Sequence, residues 1–307
     1  IVTGISDYIH LWEIQIDDSY NAVPPTHNDQ LWDQLSYVDI DNVGMIFEYL
    51  DNSIAHAEDG VPLKVIIRVF ESETPRFAEK IEIVDNSGGI SKEDIPLAFT
   101  INGMAGHYGK ESQSEHGVGM KHSLKGLGNK HEIETRNSSE EVGSLLSTKE
   151  IRSLVNGHET KIPLFYQEID GSFKHGTKIV LEELTAKGQR LAWLWGKNPK
   201  GHDKDALRDL VLSLGQRYRY FLVPNEVFGD GYRTGISIER YNSEGEMVGG
   251  YPRFAEPIAP LYHRDPITGV DRRPIYDKIE LNGEGWSARL SVGLAPQKDE
   301  DWARLGP

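Results

Sequence analysis

A carboxylate and a carboxamide stand one helical turn apart in the stretch Glu48-Tyr49-Leu50-Asp51-Asn52. Positions i and i+4 of a helix share a face, so the side chains of Glu48 and Asn52 would project side by side. A carboxylate can take a proton from an attacking water, and an amide oxygen is a hard ligand suited to Mg²⁺. The alternative interpretation is the solvated polar face of an amphipathic helix.

A second carboxylate, Asp85, follows an apolar alternating run and precedes Asn86-Ser87-Gly88-Gly89. A carboxylate at the end of a strand can accept a hydrogen bond from an exocyclic amine. The glycines after it would let a flat ring approach the backbone closely. An ordinary β-turn is the alternative, because Asp, Asn, Ser and Gly are residues that turns favour.

The third segment that could do chemistry is Gly117-Val118-Gly119-Met120-Lys121, ahead of a helix-like apolar stretch. Glycines before a helix present backbone N–H groups to an anion, and the helix N-terminus adds a favourable field. Lys121 can add a point charge. The spacing matches neither a Walker A loop nor a Rossmann fingerprint, and a lone pair of glycines is a weak signal.

Hydrophobic periodicity predicts the elements that must position these residues. Apolar residues recur every three or four positions over 43–57, which predicts an amphipathic helix. The runs Leu63–Phe70 and Lys80–Val84 predict strands, with Asp85 at the end of the second. Further predicted elements are a short helix over Met120–Leu127, strands over His131–Arg136, Lys161–Ile169 and Lys178–Leu184, a mostly helical Arg190–Phe221, and strands of a second unit over Gly235–Tyr241, Lys278–Leu281 and Trp286–Leu294.

Composition narrows the class of protein. The 307 residues have room for one large domain or two ordinary ones, and no stretch is apolar enough for a membrane span. The absence of cysteine excludes disulfides, thiolate zinc sites and cysteine nucleophiles, and it fits a cytoplasmic protein. The formal net charge of −15 disfavours DNA binding, although a local basic patch could still contact phosphate. Because the chain starts at Ile1 rather than Met, we expect a trimmed N-terminus.

The order and spacing of the three segments carry more weight than any one of them. Asp85 follows Asn52 by 33 residues, Gly117 comes 32 residues further on, and a strand opens at Gly176-Thr177. In this order the chain resembles the GHKL ATPase superfamily, which includes the gyrase B subunit, ninety-kilodalton heat-shock chaperones, MutL and MORC proteins. The glycine segment is most similar to bacterial MORC-like and heat-shock-chaperone-like ATPases.

The resemblance implies a Bergerat-type, two-layer α/β sandwich, in which helices cover one face of a mixed sheet. It assigns residues 1–190 to a GHKL ATP-binding domain. Residues 191–307 would form a smaller α/β transducer-like (S5-like) domain, which could be incomplete. The stretches Arg217–Phe221 and Pro257–Leu261 also resemble such a second domain.

The resemblance also implies a role for each matching residue. Glu48 would be the general base that orients and deprotonates water, and Asn52 would bind Mg²⁺. Asp85 would accept a hydrogen bond from the adenine amine. Thr177 would support that contact, and Gly89 would leave room for adenine.

The phosphates of ATP would lie on the glycine segment. Gly117, Val118 and Gly119 would offer them backbone N–H groups, with Lys121 beside them. Residues 100–116 would form a lid that orders over ATP, and in the family this ordering favours dimerisation.

Two departures from the family pattern affect these expectations. Ser87 stands where the family places the first glycine of Asp-x-Gly-x-Gly, so its backbone must avoid a strongly positive φ or accept strain. The family also takes a catalytic lysine from its second domain. Lys298 is a candidate for that lysine, and a solvated charge beside its acidic neighbours is the alternative.

Histidines and aromatic residues supply weaker alternatives. His107, His116 and His122 flank the glycine segment, but their spacings fit no common zinc pattern. Trp193 and Trp195 lie near lysines, which could bind nucleic acid or simply form a surface between domains.

The resemblance therefore predicts a slow, Mg²⁺-dependent ATPase whose lid closure drives ATP-dependent homodimerisation as a molecular clamp. Similarity to bacterial MORC-like proteins implies a DNA-related or phage-defence system. The alternatives are a nucleotide-gated module for a protein partner, or a chaperone, with little or no hydrolysis. A histidine kinase ranks last, because only His10 and His27 precede the first predicted helix and neither has a helical context.

Overall fold

The computed structural model describes residues 18–23, 29–37, 40–73, 77–100, 118–192, 194–197, 203–222, 234–257, 263–264, 271–272, 276–283 and 286–292. Its helices are α1 (Leu31–Gln34), α2 (Asn42–Ala55), α3 (Ile95–Phe99), α4 (Gly119–Leu127), α5 (Thr148–Val155), α6 (Ala186–Gln189), α7 (Ala206–Arg217) and α8 (Arg219–Leu222), with 3-10 turns at Leu35–Tyr37 and Arg190–Ala192. Within these ranges, every helix is too short or too polar to cross a membrane.

The strands are spread along the described chain, with the helices between them. They are β1 (Asp18–Ala22), β2 (Lys64–Glu71), β3 (Ala78–Asp85), β4 (Gly128–Arg136), β5 (Gly143–Ser147), β6 (Thr160–Phe165), β7 (Gly176–Leu184), β8 (Leu194–Lys197), β9 (Asp203–Asp205), β10 (Gly235–Tyr241), β11 (Arg253–Phe254), β12 (His263–Arg264), β13 (Asp271–Arg272), β14 (Tyr276–Gly283) and β15 (Trp286–Val292).

Nine of these strands form one sheet in the order β1-β6-β5-β4-β7-β3-β2-β10-β11. Neighbouring strands are antiparallel except for β10 and β2, which are parallel. The other described strands pair two by two, as β8 with β9, β12 with β13 and β14 with β15. A large mixed sheet with helices packed against it agrees with a Bergerat-type α/β sandwich, so the predicted fold class is confirmed.

The sheet has an apolar face and a charged face, because side chains alternate along a strand. On β2, Val65, Ile67 and Val69 are buried in the same core as the helices, whereas Arg68 lies on the opposite face. Arg68 forms ion pairs there with Glu82, Asp170 and Glu239. The helix layer therefore lies on the apolar face, and the charged face is held by ion pairs between strands.

Helix α2 forms because its start is capped and its apolar residues face the sheet. The Asp41 side chain accepts a hydrogen bond from the backbone N–H of Gly44, which satisfies an amide of the first turn. Ile46 and Leu50 are fully buried, and burying each such side chain contributes about 1.5–3 kcal/mol. The helix predicted over 43–57 is thereby confirmed.

The helix predicted over Arg190–Phe221 is wrong in its first part. Among the described residues of this part, the chain forms a 3-10 turn and the short strands β8 and β9, and helix α7 begins at Ala206. The sequence contains Gly196, Pro199 and Gly201 in this stretch, and both residue types disfavour a helix interior.

Strand β5 and helix α5 were not predicted, although the sequence contains a signal for the helix. The Ser147 side chain accepts a hydrogen bond from the first turn of α5, and the Glu150 side chain accepts one from the Ser147 N–H. This capping box is followed by Ile151 and Leu154, which are buried. The strand predicted over Lys161–Ile169 is also shorter than expected, because β6 ends at Phe165.

The strand Gly235–Tyr241, predicted for a second unit, is instead part of the large sheet as β10, beside β2. Helix α7 shares the same core, because Leu207, Leu210 and Leu214 are buried in one cluster with residues of α2. A domain boundary between residues 190 and 191, and the transducer-like nature of residues 191–307, stay predictions.

Candidate active site

Asp85 ends β3, and its side chain lies on the helix side of the sheet. It stands opposite Val65 on one neighbouring strand and Thr177 on the other, so these three side chains share a face. Its Oδ2 accepts a hydrogen bond from the Ser53 hydroxyl (2.7 Å), and its Oδ1 accepts from the N–H groups of Ser87 (2.9 Å) and Thr177 (3.3 Å). Burial raises the Asp85 pKa, and these hydrogen bonds limit the rise. The result is a fixed, buried acceptor that could hold an exocyclic amine.

Ser53 is a contributor that the sequence did not single out. It lies on α2, where it is buried, and its hydroxyl is 2.7 Å from Asp85 Oδ2 and 3.0 Å from the carbonyl oxygen of Tyr49. The hydroxyl joins the helix to the end of β3. The sequence offers one signal for this role: Ser53 lies four residues after Tyr49, so it shares the buried face of the helix.

The turn after Asp85 requires glycine at position 89 because of its backbone conformation and a close backbone neighbour. Gly89 has a φ of +66°, and a Cβ there would stand 2.0 Å from the carbonyl oxygen of Arg136. Ser87 keeps out of the positive-φ region, as predicted, since Glu183 is the one non-glycine residue with positive φ among those described. The role of Gly89 in leaving room for adenine stays a prediction.

The same turn is tied to an element on each side. The Gly88 N–H donates to the carbonyl oxygen of His56 at the end of α2 (2.8 Å). The Ile90 N–H donates to the Thr135 hydroxyl on β4 (2.8 Å). These bonds hold the backbone around Asp85 in place before any ligand arrives.

Glu48 lies against the start of α4. A Cβ built on Gly119, the first residue of that helix, would stand 1.6 Å from Glu48 Oε2. Glycine at this position therefore allows the carboxylate to lie beside the first turn of α4. Burial and the neighbouring Asp51 raise the Glu48 pKa, while Arg217 opposes the rise. A carboxylate with a raised pKa is a better proton acceptor near neutral pH.

The first turn of α4 offers backbone amides to an anion. Val118, at the N-cap position, makes no capping hydrogen bond with its side chain. The N–H groups of a helix's first turn and the helix dipole together suit phosphate. Gly117 and residues 101–116 of the predicted lid lie outside the described residues.

Lys121, predicted beside the phosphates, is buried at the third position of α4. It is 1% exposed, and burial lowers its pKa to about 7. The neutral amine is therefore well populated near neutral pH, and an anion close by would favour the charged form. The role of Lys121 as a phosphate contact stays a prediction.

Asn52 lies one turn after Glu48 on α2 and is half-buried. Within the described part of the chain, no three His, Cys, Asp or Glu side chains cluster so as to hold a metal ion on their own. Mg²⁺ is usually held by one or two protein ligands together with phosphates and waters. The Asn52 amide oxygen could supply one such ligand to a nucleotide-bound ion.

Helix α2 brings these groups together. Its Glu48 contacts α4, and its Ser53 contacts Asp85, so the two contacts are separated by about 7.5 Å along the helix axis. Thr177 is in hydrogen-bond contact with Asp85. Several other candidates lie outside the described residues, namely Lys298, His107, His116 and Trp193.

Comparison with known proteins finds one family model that matches the part of the chain containing the candidate site. Residues 42–177 match the family model described as histidine kinase-, DNA gyrase B- and HSP90-like ATPase. This segment matches the GHKL superfamily. The GHKL match begins at the first residue of α2 and ends at Thr177, so it contains every one of the site residues predicted above apart from Lys298.

No curated protein matches the chain. Among solved structures, it is similar to one titled as the crystal structure of the N-terminal domain of a DNA repair protein, with 17% sequence identity and a TM-score of 0.42. The similarity covers 71% of this chain and 54% of that one, so the chain spans about half the length of that relative. The MORC-like and chaperone-like branches of the GHKL superfamily stay predictions.

Proposed function

We propose that the protein binds ATP with Mg²⁺ in this site and hydrolyses it slowly. The observation that carries the proposal is that α2 joins two different chemical functions. Near Ser53 it supports Asp85, an acceptor for an exocyclic amine, and at Glu48 it places a carboxylate against a helix start that suits phosphate. A nucleotide with an amine on its base and phosphates at its other end fits both. The match of residues 42–177 to an ATPase family model supports the same conclusion.

Hydrolysis would follow from the position of Glu48. Its carboxylate would orient the attacking water and take its proton. The amides of the first turn of α4 would stabilise the negative charge of the transferred phosphoryl group. Asn52 would hold Mg²⁺, and the bound ion supplies further charge neutralisation at the phosphates.

The ATPase cycle would act as a conformational switch. Residues 100–116 would order over bound ATP and favour a homodimer, which would close as a molecular clamp on a protein partner. The resemblance to bacterial MORC-like proteins supports a cytoplasmic, DNA-related or phage-defence role. The net charge of −15 disfavours unaided DNA binding by this chain.

One observation favours the second candidate function, a nucleotide-gated interaction module with little or no hydrolysis. The side chain of Lys121, the lysine of the glycine segment, is 1% exposed. An amine buried away from the phosphates would give little help to phosphoryl transfer, which depends on charge stabilisation.

ATP turnover with Mg²⁺ tests the proposal in the wild type, Glu48→Gln and Asn52→Ala. We expect Glu48→Gln to bind ATP while its turnover falls by about 100-fold or more, since general-base catalysis contributes that much. Asn52→Ala should lose the Mg²⁺ dependence of binding. Glu182→Gln, on the charged face of the sheet, is the matched control and should behave as the wild type.

The outcomes separate the candidate functions. Full turnover in Glu48→Gln would show that the catalytic assignment is wrong. Tight ATP binding without turnover in the wild type would favour the gated module. Sizing with a non-hydrolysable ATP analogue tests the clamp, and a mass that stays monomeric would contradict it.

A further inference from the structure

Asp51 lies between Glu48 and Asn52 in the sequence, but its side chain is directed to α7. It is 7% exposed. Its Oδ2 accepts a hydrogen bond from Arg217 Nη2 (2.7 Å), and its Oδ1 accepts one from the Tyr218 hydroxyl (2.7 Å). Both oxygens of this carboxylate are thus held by consecutive residues from the end of α7.

The same two residues contact α2 on the other side of Glu48. The Tyr218 hydroxyl is 3.1 Å from the carbonyl oxygen of Phe47, and the two rings meet edge to face at 5.8 Å between centroids. The guanidinium of Arg217 lies over the Phe47 ring, 4.8 Å from its centroid. Phe47 and Asp51, which lie on either side of Glu48 in the sequence, are therefore held by Arg217 and Tyr218.

Of the two partners, Tyr218, which directly follows α7, is anchored in the core. Tyr218 is 1% exposed and belongs to the central core, together with Leu210 and Leu214 of the preceding turns. The hold on α2 is therefore rigid, because Tyr218 cannot move without disturbing that core.

Packing alone does not require this arrangement. The Asp51–Arg217 ion pair is partly open to solvent, since the Arg217 side chain is 44% exposed, and such a pair contributes at most about 1 kcal/mol to stability. Asp51 also places a second negative charge near Glu48, which raises the Glu48 pKa, and Arg217 limits that rise. The cluster of Asp51, Arg217 and Tyr218 therefore affects both the position and the pKa of the Glu48 carboxylate.

We propose that Arg217 and Tyr218 are positioning residues that hold the Glu48–Asn52 turn in its reactive orientation, so that the chain beyond residue 190 sets the rate of hydrolysis. This inference rests on the proposed ATPase function. A reacting group that is misplaced by about 1 Å can lose about 100-fold in rate, so a small rotation of this turn would be costly. ATP affinity would change less than the rate, because the hydrogen bonds of Asp85 to Ser53, Ser87 and Thr177 would remain.

The test measures kcat and KM for ATP in the full chain, with kcat counted per nucleotide-binding site. Arg217→Gln should lose about 10-fold or more in kcat with KM nearly unchanged, and Arg217→Lys should recover part of that loss. Tyr218→Phe keeps the ring against Phe47 and removes only the hydroxyl, so it should lower kcat by a smaller factor.

Arg68→Gln is the matched control for a general loss of stability. Arg68 also pairs with buried or half-buried carboxylates, but it lies on the charged face of the sheet. Its variant should melt at a lower temperature and keep the wild-type kcat per site.

The results that overturn the inference differ from those that overturn the function. A wild type that hydrolyses ATP, with kcat per site unchanged in Arg217→Gln and Tyr218→Phe, overturns this inference alone. So does a loss of activity that follows the melting temperature as closely in Arg68→Gln as in Arg217→Gln. A wild type without turnover overturns the proposed hydrolysis and this inference together.

Discussion

Replacing Gly119 by alanine would displace the Glu48 carboxylate while leaving the fold intact. The new Cβ would stand 1.6 Å from Glu48 Oε2, and ordinary contact begins near 3.4 Å, so the carboxylate must move by about 1.8 Å. The move is possible because the atoms that the Cβ would crowd, Oε2, Cδ and Cγ, all belong to the flexible Glu48 side chain. Since a displacement of about 1 Å can cost about 100-fold in rate, we expect kcat of Gly119→Ala to fall by at least that factor.

The same substitution should leave folding at least as favourable. Gly119 does not have a positive φ, so alanine can adopt its backbone conformation. Alanine also has a higher helix propensity than glycine, which stabilises a helix by up to about 1 kcal/mol. The assay combines steady-state turnover, ATP affinity by calorimetry and the melting temperature. We expect a melting temperature equal to or above that of the wild type and an ATP affinity close to it.

Gly126→Ala, on the same helix, is the control for crowding. Its Cβ would stand 2.4 Å from the end of the Met45 side chain, in the core, so this variant should lose stability and keep its turnover per folded molecule. Full activity in Gly119→Ala would refute the placement of Glu48. A loss of activity that merely follows a loss of folded protein, in both variants, would refute it equally.

Three further predictions concern stability and pH. Ser53→Ala removes the 2.7 Å hydrogen bond to buried Asp85, so denaturation should show a loss of about 1–3 kcal/mol, and calorimetry should show weaker ATP binding. Glu48 must be ionised to act as a base, and burial raises its pKa. The acidic limb of the kcat–pH profile should therefore have its midpoint above 4.5, the ordinary pKa of a glutamate, and a midpoint at or below 4.5 would contradict the assignment. Burial lowers the Lys121 pKa from 10.5 to about 7, so the unfolded chain should bind more protons between these values. The free energy of unfolding should therefore rise with pH through that window, and Lys121→Met should abolish the rise.

Local patterns in the sequence were enough to predict the parts of the site that lie on one element. The spacing of apolar residues predicted α2, and the i, i+4 relation of Glu48 and Asn52 followed from it. The alternation before Asp85 predicted β3 and placed the carboxylate at its end. The capping box at Ser147 was an equally local signal for α5, and it was missed.

Contacts between distant segments could not be predicted in this way. Ser53 gains its role only when α2 packs on the end of β3, and Asp51 meets Arg217 across a separation of 166 residues. The parallel pairing of β10 with β2 is similarly non-local, because the sequence of neither strand indicates which strand it pairs with. The need for glycine at Gly89 also depends on the backbone of another strand, which passes beside the turn.

The most direct test of the account is a calorimetric titration of ATP with Mg²⁺ into the wild type and Asp85→Asn. Asparagine has the same shape, but it cannot accept from the Ser87 and Thr177 amides and from an adenine amine as a carboxylate does. The account predicts that the wild type binds ATP and that Asp85→Asn, with a melting temperature showing that it is folded, binds at least about ten-fold more weakly, a difference of about 1.4 kcal/mol. Equal affinity in the two proteins, or no binding in the wild type, would contradict it.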